Sequence, residues 1–190
     1  MIEVEIKGVA LSLETAEGLF SPRQADRGTL AMLSLADLAP GAKVLDLGCG
    51  CGLVGLLAAK LCGEENVVMC DIDPLAVDVA RKNALRNGVG GVKIVLSDGF
   101  RALDDAGFDL ILSNPPYQSD FSVAKGFIEK GFNRLKLGGR MMMVTKRRQW
   151  YRNKLAAVFG GVKVREVDGY FVFEAQRRGP SYANRRGFIK

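Results

Sequence analysis

The sequence contains no histidine, so no imidazole serves as general base, proton shuttle or metal ligand anywhere in the chain. Cysteine is scarce. Cys49, Cys51, Cys62 and Cys70 include no C-x-x-C pair and are too few for a disulfide scaffold, so reduced thiols without a metal are expected. No apolar run reaches the roughly 18 to 20 residues that span a bilayer, and the opening MIEVEIKG lacks the charged-then-apolar order of a secretory signal. A cytoplasmic protein with no membrane partner is expected. Internal repeats, low-complexity tracts and Pro/Ser-rich linkers are also missing, which leaves one continuous core in 190 residues.

Against these absences stands an ordinary globular composition, 48% hydrophobic and 25% charged, which excludes disorder as the main state. Its charge is unevenly placed. From Arg140 to Lys190 there are 13 Lys and Arg against 3 acids, whereas residues 1–139 carry 14 against 18. A net of +10 in the last quarter points to a polyanionic partner, nucleic acid, met by that part of the chain.

Two short strands are read at Val4–Ile6 and Val9–Leu13 around Lys7-Gly8, then a helix that ends at Pro40-Gly41. Strand and helix alternate thereafter. Strands fall at Val44–Leu47, Val67–Cys70, Val92–Leu96, Phe108–Leu112 and Met141–Thr145, with helices at Gly52–Leu61, Leu75–Arg86 and Val123–Leu135, the last stopped by Gly138-Gly139. This order predicts a doubly wound α/β fold, a Rossmann-like, mostly parallel sheet with helices on both faces. After a helix near Gln149–Phe159, two runs flank Asp168-Gly169, a tight-hairpin dipeptide, so the last strand is expected to be antiparallel. The tail beyond Gln176 has few apolar residues and is expected to be mobile without a partner.

The segment VLDLGCGCGLVG sets a glycine-rich turn between a buried strand and a helix. Gly48, Gly50 and Gly52 let the backbone turn sharply and a ligand approach closely. Asp71 follows Gly52 by 19 residues at the end of the next strand, placed to accept from both ribose hydroxyls of a nucleoside. Asp98, closing the third strand, is a candidate for the adenine amine, and Asp73-Pro74 reads as a helix start. The pyrophosphate of NAD uses a similar loop, but Asp46, two residues before Gly48, suits a cationic amino-acid portion instead. S-adenosylmethionine is the better match.

At the end of the fourth strand stands SNPPY, Ser113–Tyr117. The carboxyl edge of an open α/β sheet is where ligands bind. Pro115 and Pro116 fix φ, so the Asn114 amide oxygen and the Pro115 carbonyl present two acceptors in one orientation. An exocyclic base amine is a poor nucleophile because its lone pair is delocalised. Accepting its two protons in hydrogen bonds favours a pyramidal nitrogen and turns that lone pair toward an electrophilic methyl. Tyr117 offers a face on which the target base stacks.

Through DLGCGCG, CDIDP, SD and NPPY in that order, the chain resembles class I S-adenosylmethionine-dependent methyltransferases. It is most similar to the small-subunit ribosomal RNA guanine-N2 branch, whose members carry a segment like FSPRQADRGT, Phe20–Thr29, ahead of the glycine loop. The resemblance implies a seven-stranded sheet with the last strand reversed. It also implies that Phe20, Asp26, Gly28 and Thr29 close over the methionine end of the cofactor, although Asp26 also reads as a helix cap. Longer bacterial members of that family carry a second, inactive copy of the domain in front. The expected organisation is a covering segment at 1–28, a methyltransferase domain at 29–176 and a basic tail at 177–190.

The leading expectation is methyl transfer to guanine N2 of ribosomal RNA, either naked or in a ribosomal subunit. NPPY also occurs in enzymes that methylate adenine amines and glutamine amides of release factors, and a non-catalytic RNA-binding assembly factor is a further alternative. RNA contact is expected from KRRQWYRNK, Lys146–Lys154, where five cations flank Trp150 and Tyr151, and from the tail cations Arg177, Arg178, Arg185, Arg186 and Lys190.

Overall fold

A computed structural model describes residues 1–19, 24–116 and 120–183. Strands β1 (Ile2–Ile6) and β2 (Val9–Leu13) form an antiparallel hairpin turned at Lys7-Gly8. Helix α1 (Arg27–Leu35) follows, then β3 (Val44–Leu47), α2 (Leu53–Cys62), β4 (Val67–Asp71), α3 (Pro74–Arg86), β5 (Lys93–Leu96) and β6 (Phe108–Ser113). The chain continues through α4 (Phe121–Arg134), β7 (Leu135–Thr145), α5 (Arg148–Phe159), β8 (Lys163–Val167) and β9 (Tyr170–Gln176).

Seven strands make one sheet in the order β5-β4-β3-β6-β7-β9-β8, parallel from β5 to β7 and with β9 antiparallel to both neighbours. The expected fold class is therefore observed. Alternation along each strand sends Val44, Leu110, Leu112, Met142 and Val144 toward α1, α2 and the hairpin, while Leu45, Ile111, Met141 and Met143 face α4 and α5. Helices cover both faces, which is why the central strands are largely apolar on both sides, Asp46 in β3 and Asp109 in β6 aside. At the β8–β9 turn, Asp168 and Gly169 both have positive φ, the backbone that this tight turn needs.

Three expectations need correction. The helix expected to stop at Gly138-Gly139 ends at Arg134, and those glycines lie inside β7. The Gly138 N–H donates to the Arg177 carbonyl and the Arg177 N–H to the Gly139 carbonyl, so the ladder runs on past a bulge opposite Phe108. Nor is the first part of the tail loose. The Arg177 guanidinium donates to the Asn133 and Leu135 carbonyls at the end of α4 and lies over the Phe132 ring, a placement that suits a helix C-terminus. Tyr182 packs edge-on against Phe132 and donates to the Glu129 carbonyl. Finally, Tyr151 is 4% exposed and stacks on Phe173, and Trp150 stacks on Phe121, so these rings pack on the protein itself. Arg185, Arg186 and Lys190 lie outside the described residues.

Candidate active site

A cavity of about 340 Å³ opens at the carboxyl edges of β3, β4 and β6. The glycine loop forms one wall, the NPP segment a second, and Ile2, Leu13 and Leu19 of the N-terminal segment close over it. Asn83 of α3 and Asn87, the residue that caps its C-terminus, hold that segment in place. The buried Asn83 accepts from the Glu14 N–H and donates to the Glu14 and Cys51 carbonyls, and Asn87 pairs with both backbone groups of Ser12. Neither role is legible in the sequence, because an asparagine on a helix reads as an exposed polar position and Asn87-Gly88 reads only as a helix stop.

The glycines divide into two kinds. At Gly48 and Gly50, both with positive φ and both lining the cavity, a Cβ would meet nothing within 4 Å. They leave room for a ligand against the backbone. A Cβ on Gly52 would come within 3.0 Å of Met69, and one on Gly55 within 2.4 Å. Gly52 does not line the cavity; its absent side chain lets α2 lie on β4. The structure places Gly52, with φ +97°, at the start of α2 where the glycine turn packs on β4, and not on the cavity wall.

Acids converge on the loop. Asp71 accepts from the Gly50 N–H at 2.8 Å and from the Asp73 N–H at 3.0 Å, tying the end of β4 to the glycine turn while it lines the cavity. Asp46, 2% exposed, accepts from the Gly55 N–H at 2.8 Å. Burial pushes its carboxyl up to about 7, the Gly55 N–H opposes that rise, and the charge of Asp71 adds to it. A cation in the cavity would restore its ionised form. Asp98 sits on the cavity rim with its carboxylate largely exposed, 3.8 Å from the Arg101 guanidinium. Asp73 caps α3, accepting from the Leu75 N–H. Burial also raises the thiols of Cys49 and Cys70, the latter to about 12, so both remain protonated.

The opposite wall is set by side chains. Ser113 ends β6 and donates to the Leu47 carbonyl at 2.7 Å, fixing the NPP segment beside the glycine loop. The Asn114 amide donates to Asp26 Oδ1 at 2.7 Å and to Thr29 Oγ1 at 3.0 Å. Turning the amide over would set its oxygen against the Asp26 carboxylate, which has no proton to donate, so its orientation is determined. Asn114 Oδ1 is left buried with no hydrogen-bond partner in a residue that lines the cavity. An acceptor in that state costs free energy unless a ligand donates to it.

Asp26 therefore works twice, as N-cap of α1 through the Thr29 N–H and as an anchor for Asn114. Asp26, Thr29, Pro115 and Pro116 line the cavity, whereas Gly28 is buried in the first turn of α1 and does not. Phe20 and Tyr117 lie outside the described residues. Ile72, 66% exposed, and Phe127 add apolar surface to the cavity. An exposed isoleucine between the acids of CDID was a signal that the sequence reading passed over.

A glycine turn on the first parallel strand, an acid ending the second and an acceptor ending the fourth define a nucleoside-binding α/β enzyme class. Residues 10–174 match the methyltransferase small domain family, and the chain belongs to it. The ribosomal RNA small subunit methyltransferase C of Pseudomonas putida is 30% identical over 180 residues, covering 92% of this chain and 54% of its own. A Bacillus subtilis protein, the uncharacterized YbxB, is 32% identical over 166 residues, 84% of this chain and 83% of its own. Among solved structures, the T. thermophilus 16S rRNA N2 methyltransferase RsmC, in complex with AdoMet and guanosine, superposes with a TM-score of 0.82 at 28% identity. That match covers 93% of this chain and 50% of the other, so the chain spans about half the length of the two methyltransferases.

Proposed function

We propose that this chain transfers a methyl group from S-adenosylmethionine to an exocyclic amine of an RNA base, guanine N2 of ribosomal RNA. The observation that carries this reading is Asn114, whose N–H groups are held by Asp26 and Thr29 while its oxygen is buried and unpartnered beside the glycine loop. S-adenosylmethionine fits the cavity. Gly48 and Gly50 leave open space along the turn, Asp71 keeps acceptor capacity for ribose hydroxyls, and Asp46 answers a cationic amino group. Bound there, the cofactor supplies an electrophilic methyl on sulfur.

The chain's own residues then have separable tasks. Asn114 Oδ1 accepts a hydrogen bond from the target amine, and Pro115, buried at the cavity wall, restricts the backbone that carries it. Accepting from the amine draws its lone pair out of the ring and orients it toward the methyl donor. With no histidine in the sequence, imidazole takes no part in removing the proton.

The RNA reading is supported by the ribosomal RNA relatives and by the basic charge after Arg140. It is tested by incubating the protein and radiolabelled S-adenosylmethionine separately with ribosomal subunits, naked ribosomal RNA and a release factor. Label recovered as N2-methylguanosine is the expected result. Label found only in the release factor would replace this reading with glutamine-amide methylation, and no transfer to any of them would point to the assembly-factor alternative.

A further inference from the structure

Several cations of the C-terminal quarter are tied to acids or carbonyls of the protein itself. Arg140 faces Asp37 and Glu174, Lys154 pairs with Glu129, Lys163 and Arg165 face Glu174, and Arg177 holds the end of α4. Lys146, Arg147 and Arg148 are consecutive and exposed at the end of β7 and the start of α5, and Lys146 and Arg148, like Arg152 and Arg178, form no ion pair among the described residues.

Each of the three cations lies over an aromatic ring. Lys146 Nζ is 4.9 Å from the centre of Tyr170, the Arg147 guanidinium 4.3 Å from Phe121, and the Arg148 guanidinium 5.7 Å from Phe171. Phe121 is itself stacked on Trp150 at 4.3 Å and 13°. Rings drawn from α4 and β9 thus brace all three cations, which reduces the side-chain entropy a ligand would otherwise have to remove. The helix they precede does not favour the placement. Three cations at the start of α5 oppose the helix dipole, and no side chain caps that end.

Position supplies the remaining step. Strands β6 and β7 are parallel neighbours with Ser113 level with Met143, so Lys146 emerges at the same carboxyl edge as Asn114, one strand away. Phe121, which carries Arg147, opens the helix that follows the NPP segment. We propose that Lys146, Arg147 and Arg148 form a pre-ordered ledge that grips the phosphodiester backbone of the RNA strand flanking the base presented to Asn114. This inference rests on the RNA reading above and narrows it, because it places strand binding here and not on Trp150, Tyr151 or Arg177.

The test is fluorescence anisotropy of a labelled ribosomal RNA fragment between about 50 and 200 mM salt, together with methyl transfer kinetics on the same RNA. The variants are K146Q/R148Q, K146Q/R147Q/R148Q and, as a control, K82Q on the exposed face of α3. Two lost phosphate contacts should flatten the plot of log affinity against log salt by about 1.4 to 1.8. RNA KM should rise with the change in affinity, while kcat at saturating RNA and S-adenosylmethionine affinity stay near wild type. K82Q should behave as wild type. If the wild-type protein methylates RNA but K146Q/R148Q keeps its slope and KM, or K82Q loses as much as the ledge variants, the ledge is overturned and the RNA reading stands. If the wild-type protein labels only the release factor, the RNA reading falls and the ledge falls with it.

Discussion

One wall of the cavity is made of backbone and the other of side chains, and the two are held by interactions of very different reach. The glycine-loop wall is assembled within residues 44–71, where β3, the turn and the end of β4 meet through Gly50 and Asp71. The Asn114 wall needs Asp26 and Thr29, which are 88 and 85 residues away. A backbone wall leaves few routes for altering a ligand's position by substitution, whereas a side-chain wall puts one reacting group under the control of two distant ones. Binding and chemistry should therefore separate under mutation.

Asn114→Ala should separate them most sharply. Methyl transfer is expected to fall by about 10²-fold or more, with S-adenosylmethionine affinity nearly unchanged, because in the proposed reaction the lost oxygen accepts from the target amine. Single-turnover transfer and calorimetric titration measure the two quantities; equal losses in both would erase the distinction between the walls. The reciprocal change, Asp71→Ala, should weaken cofactor binding by about 1 to 3 kcal/mol. It leaves the Gly50 N–H without its acceptor as well as removing the acid from the cavity. Turnover at saturating cofactor should change far less.

Asp46 gives the backbone wall a pH signature. Its folded pKa of about 7 lies above its unfolded value, so the ligand-free folded state keeps a proton that the unfolded chain has already released. This group therefore lowers stability as pH rises from about 4 to 7 and adds no further slope above that. Denaturant melts of Asp46→Asn against wild type should show the variant gaining relative stability at pH 8 over pH 5, by on the order of 1 to 4 kcal/mol. Affinity for S-adenosylmethionine should move the other way, strengthening through pH 7 in the wild type and staying flat in the variant. A smaller effect is expected at the side-chain wall. Asp26→Ala should cost about 1 kcal/mol as a lost cap and roughly 10-fold in kcat through misplacement of Asn114. Asp26→Asn keeps an oxygen for both donors and should restore most of kcat, a rescue that a purely structural cap would not require.

This contrast in reach also explains what could be read from the sequence. Hydrophobic alternation, the VLDLGCGCG turn and Asp168-Gly169 are local patterns, and the parallel sheet, the glycine loop and the terminal hairpin follow from them. Asn114 was legible as an acceptor because of its prolines and its place at a strand end. What orients it was not, since no spacing in the chain links residue 26 to residue 114. The same limit hid Asn83 and Asn87, whose partners are backbone groups of the N-terminal segment 69 and 75 residues away. Gly138-Gly139 misled for another reason. Paired glycines usually end elements, but here Arg177 supplies the hydrogen bonds that let the strand continue. Arg177 itself looked like a tail cation because composition does not distinguish a charge facing solvent from one seated on helix carbonyls.

The double duty of Asp26 Oδ1 has a thermal consequence. Helix ends open with less free energy than the whole fold, and the first turn of α1 shares its capping oxygen with the amide that holds Asn114 in place. Each excursion of that turn releases Asn114, while the glycine loop and Asp71, anchored on the sheet, stay assembled. On warming, methyl transfer should decline several degrees before the sheet melts, with cofactor affinity persisting through the interval. The temperature optimum of the proposed transfer would then report the stability of one helical turn, not that of the domain.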